Sequence, residues 1–85
     1  MSNSESIWLE SDSQVLAVGE SMDQLIFDLK NYLSENSGVI LDVKEDRIKL
    51  KNDVGVLFCN ISIKGSGRTE LTRLEKEQLK QIYTY

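Results

Sequence analysis

The middle of the chain, residues 39–64, reads VILDVKEDRIKLKNDVGVLFCNISIK. Apolar and polar residues alternate through its first half, which is the pattern of strands that bury one face. Two polar dipeptides, Glu45-Asp46 and Asn52-Asp53, interrupt this pattern and have the composition of tight turns. The stretch therefore predicts a three-stranded meander with strands over residues 39–44, 47–51 and 54–64.

The register of this meander follows from its turns, because a two-residue turn fixes which residues face each other. The first turn places Leu41 opposite Leu50. The second places Leu50 opposite Gly55 and Ile48 opposite Leu57. Both turns bring apolar side chains to one face, and this agreement supports the assignment. The predicted inner face carries Leu41, Val43, Ile48, Leu50, Leu57, Cys59, Ile61 and Ile63.

A hairpin and a helix are predicted before the meander. Residues 7–10 and 14–18 are rich in β-forming side chains and are separated by a polar, serine-rich turn. Ser21 and Gln24 then have the spacing of a helix capping box, and Gly38 is a suitable helix end. Between them a single apolar stripe recurs at helical spacing. It consists of Met22, Leu25, Ile26, Leu29, Tyr32 and Leu33.

A second helix is predicted at the C-terminal end, where Thr72 and Glu75 repeat the capping-box spacing. The apolar residues predicted to form its inner, buried side are Leu74, Leu79, Ile82 and Tyr83. The resulting order is ββαβββα, an α+β fold in which both helices pack on the leucine-bearing face of an antiparallel sheet. Residues 1–6 are expected to form a flexible tail and residues 7–85 a single compact domain.

The residue inventory argues against catalysis. The chain of 85 residues has no histidine and one cysteine, Cys59, so it lacks the usual zinc ligands and the base that activates a serine or cysteine nucleophile. We expect no enzyme activity, no catalytic residue, no cofactor and no metal. Cys59 lies in an apolar run and is predicted to be buried. Residues 64–69 are glycine-rich but lack phosphate-loop spacing, and they predict a plain turn.

The outer face of the predicted meander is the candidate binding surface. By the same register it carries the apolar residues Ile40, Val54, Val56 and Phe58 among basic ones. A solvated antiparallel face is mostly polar, so these residues require a cover. Trp8 and the lysine side chains could supply it, or a partner protein could dock there, since exposed aromatic and arginine residues are typical of interfaces. The predicted partner-binding residues are Trp8, Phe27, Arg47, Lys49, Val56 and Phe58.

Charge is distributed unevenly along the chain. Residues 1–29 contain six carboxylates and no basic residue, whereas the remainder contains ten basic and eight acidic residues. An acidic patch can accelerate encounter with a basic surface. We predict such a steering patch at Asp12, Glu20 and Asp23, either for another protein or for head-to-tail pairing between copies.

These features favour a small acidic protein-binding module that acts as an inhibitor, adaptor or modulator of another protein. Small size and acidity are also typical of inhibitors carried by phages and mobile elements, an analogy of composition alone. The alternatives are a self-associating structural subunit such as a homodimer, or a nucleic-acid or anion binder that uses Arg47, Lys49 and Lys51. Nucleic acid is the less expected partner of a chain with net charge −4. The chain has no signal-peptide pattern and no long apolar run, which predicts a cytoplasmic protein without membrane contact.

Overall fold

The computed structural model describes residues 6–44 and 47–83, which form six strands and two helices. The predicted order ββαβββα is present, with its last strand, residues 54–64, divided into two strands. All strand pairs are antiparallel, and the predicted α+β fold is confirmed. Residues 1–5 of the predicted tail and the predicted turn at residues 45 and 46 lie outside the described residues. The elements are β1 (Ile7–Ser11), β2 (Gln14–Gly19), α1 (Met22–Glu35), β3 (Ile40–Val43), β4 (Ile48–Lys51), β5 (Val56–Phe58), β6 (Ser62–Lys64) and α2 (Arg73–Tyr83).

The strands form two three-stranded sheets, in the orders β2-β1-β6 and β3-β4-β5, where the sequence predicted one sheet. Residues 56–64 contribute to both sheets, because their first part pairs with β4 and their last part with β1. Asn60 separates the two parts and has a left-handed φ of 55°, which interrupts the extended chain. Past this point the Ile61 N–H donates to the Ile48 carbonyl at 3.0 Å, so contact with β4 continues.

Both helices begin where their capping residues predict. At α1 the Gln24 N–H donates to the Ser21 hydroxyl (3.3 Å), and the Gln24 side chain accepts from the Glu20 N–H (3.0 Å). At α2 the Glu75 N–H donates to the Thr72 hydroxyl (3.2 Å), and the Thr72 N–H donates to the Glu75 carboxylate (2.9 Å). These bonds satisfy backbone donors that the first turn of a helix leaves unpaired.

A single apolar cluster joins both sheets and both helices. α1 packs mainly against β2, and α2 packs against β3. Leu25 and Leu29 of α1 and Leu79 of α2 are fully buried in this cluster. The remaining buried apolar residues are Ile7, Leu9, Leu16, Ala17, Leu41, Ile48, Leu50, Ile61, Ile63, Leu71 and Ile82.

The β3–β4 register is the predicted one, but the β4–β5 register is not. Leu41 lies opposite Leu50 as expected. The turn after β4 closes between Asn52 and Gly55, whose backbone N–H and C=O groups bond each other at 2.9 and 3.2 Å. With this turn, each β4 residue pairs with a β5 residue two positions later than predicted. Because side chains alternate with a period of two, this shift by itself leaves every side chain on its predicted face.

A bulge in β5 then reverses the faces. Lys51 pairs with Val56, but Leu50 pairs with Phe58, so Leu57 is an extra residue with no partner of its own in the ladder. One extra residue turns the following side chains to the other face. Phe58 therefore packs against the core, and Leu57, predicted to be buried, is 43% exposed.

Two further predictions of burial are wrong. Cys59, next to the left-handed Asn60, is exposed, while Ile61 and Ile63 regain the inner face as predicted. Leu74 is 76% exposed, and Leu71, which precedes the cap of α2, is buried instead. Leu74 lies five residues before the buried Leu79, which places it about 140° away around the helix.

Candidate functional site

The outer face of the β3-β4-β5 sheet carries Ile40, Lys49, Lys51 and Val56, a mixture of apolar and basic residues. We call these four residues, together with the exposed bulge residue Leu57 next to Val56, the outer patch. One row of paired residues crosses all three strands, since Lys51 lies opposite both Ile40 and Val56. Neighbouring strands are about 4.8 Å apart, so the two apolar side chains flank the lysine at a span of about 10 Å.

The apolar members of the outer patch are open to solvent. Ile40 is 41% exposed and Val56 is 51% exposed, and Leu57 adds a third apolar side chain beside Val56. Val54, at the corner of the turn before β5, is 93% exposed. Isolated exposed apolar residues are ordinary, whereas neighbouring exposed apolar residues can form a contact surface.

Asp42 balances part of the positive charge at this face. Its carboxylate lies 3.2 Å from the Lys51 ammonium and 3.6 Å from the Lys44 ammonium, and it pairs across the strands with Lys49. The hydrogen bond from Lys51 lowers the pKa of Asp42 below its usual value, partial desolvation opposes this change, and the charge of Lys44 lowers the pKa further. Asp42 therefore remains ionised and holds Lys51 between the apolar side chains.

The structure does not bring the six predicted partner-binding residues onto one surface. Lys49 and Val56 lie on the outer patch, and Arg47 is exposed at the residue before β4. Phe58 was predicted to lie on this face, but the β5 bulge turns it inward, opposite the fully buried Leu50.

Trp8 lies on the other sheet. It belongs to β1 and pairs with Val18 on one side and Lys64 on the other. Its ring is half-buried, and its Nε1–H donates to the Glu10 carboxylate at 2.8 Å. Gly65 lies close by, because a Cβ there would come within 2.9 Å of the indole ring and 2.3 Å of the Ser6 carbonyl oxygen. Trp8 thus packs on its own sheet and leaves Ile40 and Val56 exposed.

Phe27 lies on a third surface, on the side of α1 away from the apolar stripe, and is 65% exposed. It borders a groove of about 490 Å³ between α1 and α2. Leu33 and Ile82 contribute apolar side chains to this groove, and Lys30 contributes its charge. The prediction that Phe27 lies outside the core is confirmed.

The predicted steering residues fall into two groups. Glu20 and Asp23 lie together at the start of α1, whereas Asp12 lies in the β1–β2 turn at the other end of β2. A six-residue strand spans about 17 Å between its first and last residues. A further carboxylate of this region, Asp28, accepts a hydrogen bond from the Val18 N–H at 3.0 Å and so protects the open edge of β2.

The glycine-rich stretch is a turn, as predicted: the Arg68 N–H donates to the Gly65 carbonyl at 2.8 Å. The Arg68 guanidinium bonds the Glu75 carboxylate at the start of α2. Within residues 6–44 and 47–83, no three carboxylate or thiol groups come together in a way that could hold a metal ion. The inward position of Phe58 also removes the aromatic side chain that a base-stacking platform beside Lys49 and Lys51 needs.

No family model, curated protein or solved structure matches this chain. Neither α1 nor α2, the helices in the described part of the chain, combines the length and apolar character needed to cross a membrane.

Sequence reasoning missed Leu57 as a surface residue. Its neighbours Val56 and Phe58 are also apolar, so alternation carries no information about which of the three faces inward. The Asn52 side chain gives a partial signal, because its carbonyl oxygen accepts from the N–H groups of Val54 and Gly55 and stabilises the four-residue turn.

Proposed function

We propose that this chain is a small acidic protein-binding module, which inhibits, links or modulates another protein through the outer patch. The observation that carries the proposal is the row Ile40, Lys51 and Val56, in which a lysine held by Asp42 separates two exposed apolar side chains. Leu57 widens the apolar area. Apolar side chains next to fixed charges support both affinity and selection of the partner.

The chemistry of the patch specifies its partner. Burial of Ile40, Val56 and Leu57 requires an apolar area on the other protein. Lys49 and Lys51 would lose hydration at the edge of such a contact, and carboxylates on the partner would compensate for this loss. The expected partner surface therefore has an apolar centre bordered by acidic residues.

Site-specific photo-cross-linking in the native host tests this proposal. A photoreactive amino acid replaces Leu57 in one variant and Leu74 in the other, because both leucines are exposed but lie on different elements. We expect one partner adduct from position 57 and none from position 74. Equal capture at both positions, or no adduct at position 57, would contradict the proposal.

The same experiment separates the self-association alternative. An adduct at position 57 with twice the mass of the 9.7 kDa chain would identify a second copy as the occupant of the patch. A heterologous adduct supports binding to another protein. Both variants are compared with the parent by thermal unfolding, so that loss of capture is not confused with loss of folding.

A further inference from the structure

A second charged surface lies in a groove between the end of β3 and α2. It adjoins the outer patch, because Asp42 contacts both Lys44 of the groove and Lys51 of the outer patch. Five side chains line a groove of about 420 Å³ there, and all of them are charged: Lys44, Arg73, Lys76, Glu77 and Lys80. Four are basic, in a chain whose net charge is −4. We call this the basic groove.

Helical spacing explains how the basic side chains converge. Arg73, Lys76 and Lys80 lie three and four residues apart, so they occupy one face of α2. Lys44 follows the last residue of β3, the strand against which α2 packs, and faces them across the groove.

Asp42 and Glu77 compensate part of this positive charge. Glu77 is the acidic residue of the lining, and its carboxylate lies 3.6 Å from the Lys80 ammonium. Lys44 lies 3.6 Å from Asp42, whose closer contact is with Lys51 at 3.2 Å. Arg73 has no ion-pair partner among the described residues.

We propose that the basic groove binds a compact polyphosphate anion. Like charges around a groove repel one another and concentrate positive potential, and a multiply charged anion relieves this repulsion. The Arg73 guanidinium can donate two parallel hydrogen bonds to one phosphate group, and the lysines supply further positive charge. A volume of about 420 Å³ lies within the usual range for small-ligand sites.

The lining also selects among anions. An acidic peptide gains much of its affinity from apolar anchors, and a nucleic-acid strand from aromatic stacking. The five charged residues that line the groove offer neither. A chain of phosphate groups, either free or at the end of a nucleotide, fits this chemistry best.

Calorimetric titration of the full chain with inorganic triphosphate tests the proposal, with ATP and a glutamate-rich peptide as comparison ligands. At about 50 mM salt we expect saturable binding of triphosphate with a Kd of about 0.1 mM or tighter, weakening as salt is raised to about 300 mM. If ATP and triphosphate bind with equal affinity, the phosphate chain alone is the ligand. If ATP binds more tightly than triphosphate, the ligand is a nucleotide. No saturable binding, or tighter binding of the peptide, overturns the proposal.

Three variants with the same charge change locate the site. Arg73→Gln and Lys80→Gln should each weaken triphosphate binding about fivefold, while Lys30→Gln, in the groove beside Phe27, should change it less than about twofold. Glu77→Gln should strengthen binding. Equal effects of all three lysine and arginine variants would show adsorption to net charge and overturn the assignment. Thermal unfolding of each variant confirms that it is folded.

Discussion

At the scale of single residues, Phe58 and Leu57 show which side of β5 packs against the core. It packs against the core opposite Leu50, while Leu57 beside it is 43% exposed. Phe58→Ala should lower the free energy of unfolding by about 2 kcal/mol or more, because it leaves a cavity at the core. Leu57→Ala should lower it by about 0.5 kcal/mol or less, as an exposed substitution does.

Denaturant melts of the two variants measure this difference. Circular dichroism of both variants at zero denaturant serves as the folding control. A larger loss of unfolding free energy for Leu57→Ala than for Phe58→Ala would show that β4 and β5 pair without a bulge and that Leu57 faces the core.

Cys59 is a second residue whose environment the bulge decides. It is exposed next to Asn60, so its thiol should react with a disulfide reagent in the folded protein. We expect a labelling rate within about tenfold of the rate in denaturant, because access does not require unfolding. The reaction is followed by the absorbance of the thiolate that the reagent releases. Labelling that proceeds only at the rate of global unfolding would mean that Cys59 is buried.

At the scale of elements, the start of α2 depends on Glu75. Its carboxylate accepts hydrogen bonds from the Thr72 N–H and from Arg68. Partial burial raises the pKa of Glu75, but the hydrogen bond from Arg68 and the bonds with Thr72 outweigh it, and the pKa lies below its usual value of 4.5. While Glu75 is ionised, its contact with Arg68 therefore holds the Gly65–Arg68 turn against the start of α2.

This pKa change predicts a loss of stability in acid. The unfolded chain binds the Glu75 proton at a higher pH than the folded chain does, so the stabilisation is complete above pH 4.5 and is lost as pH falls through the folded pKa. Asp42, whose pKa is also lowered, contributes in the same direction. Glu75→Gln should cost about 0.5 to 1 kcal/mol at neutral pH and should weaken this acid dependence.

Unfolding free energies measured from neutral to acidic pH check this prediction. Glu77→Gln is the matched control, since Glu77 lies on the same helix with a more exposed ion pair. An unchanged pH profile in Glu75→Gln would show that the Arg68 contact contributes nothing to folding.

Element order, both helix caps and the β3–β4 register could be predicted from the sequence, because each follows from local chemistry. Ser21 and Thr72 mark helix starts by capping, and alternation in β3 and β4 has a clear phase. The β5 bulge had no such signal, since its residues are all apolar. Of the apolar residues predicted for the outer sheet face, Ile40 and Val56 lie there, whereas Phe58 packs against the core. The exposure of Leu57 was not predicted.

At the scale of the whole molecule, the acidic groups are expected to control the rate of encounter with the partner. Reversal of Glu20 and Asp23 to lysine should slow association, because these carboxylates attract basic groups of the partner that lie outside the acidic border of its contact surface. The effect should shrink as the Debye length falls from about 10 Å at 0.1 M salt to about 3 Å at 1 M. Asp12→Lys is the control, because it reverses a charge at the far end of β2, away from Glu20 and Asp23.

Association rates from stopped-flow fluorescence at several salt concentrations test the steering. A change that appears in dissociation alone, or that does not depend on salt, would assign Glu20 and Asp23 to direct contact and remove their long-range role.

The most direct test of the outer patch is the dissociation rate of the complex with the partner that the cross-link at position 57 recovers. Leu57→Ser and Leu74→Ser place the same change on two exposed leucines, one on the outer patch and one on α2. Loss of a central apolar contact costs about 2 kcal/mol, so Leu57→Ser should dissociate about 30 times faster than the parent. Leu74→Ser should dissociate at the parental rate. Equal dissociation rates for the parent and a folded Leu57→Ser variant would contradict binding through the outer patch.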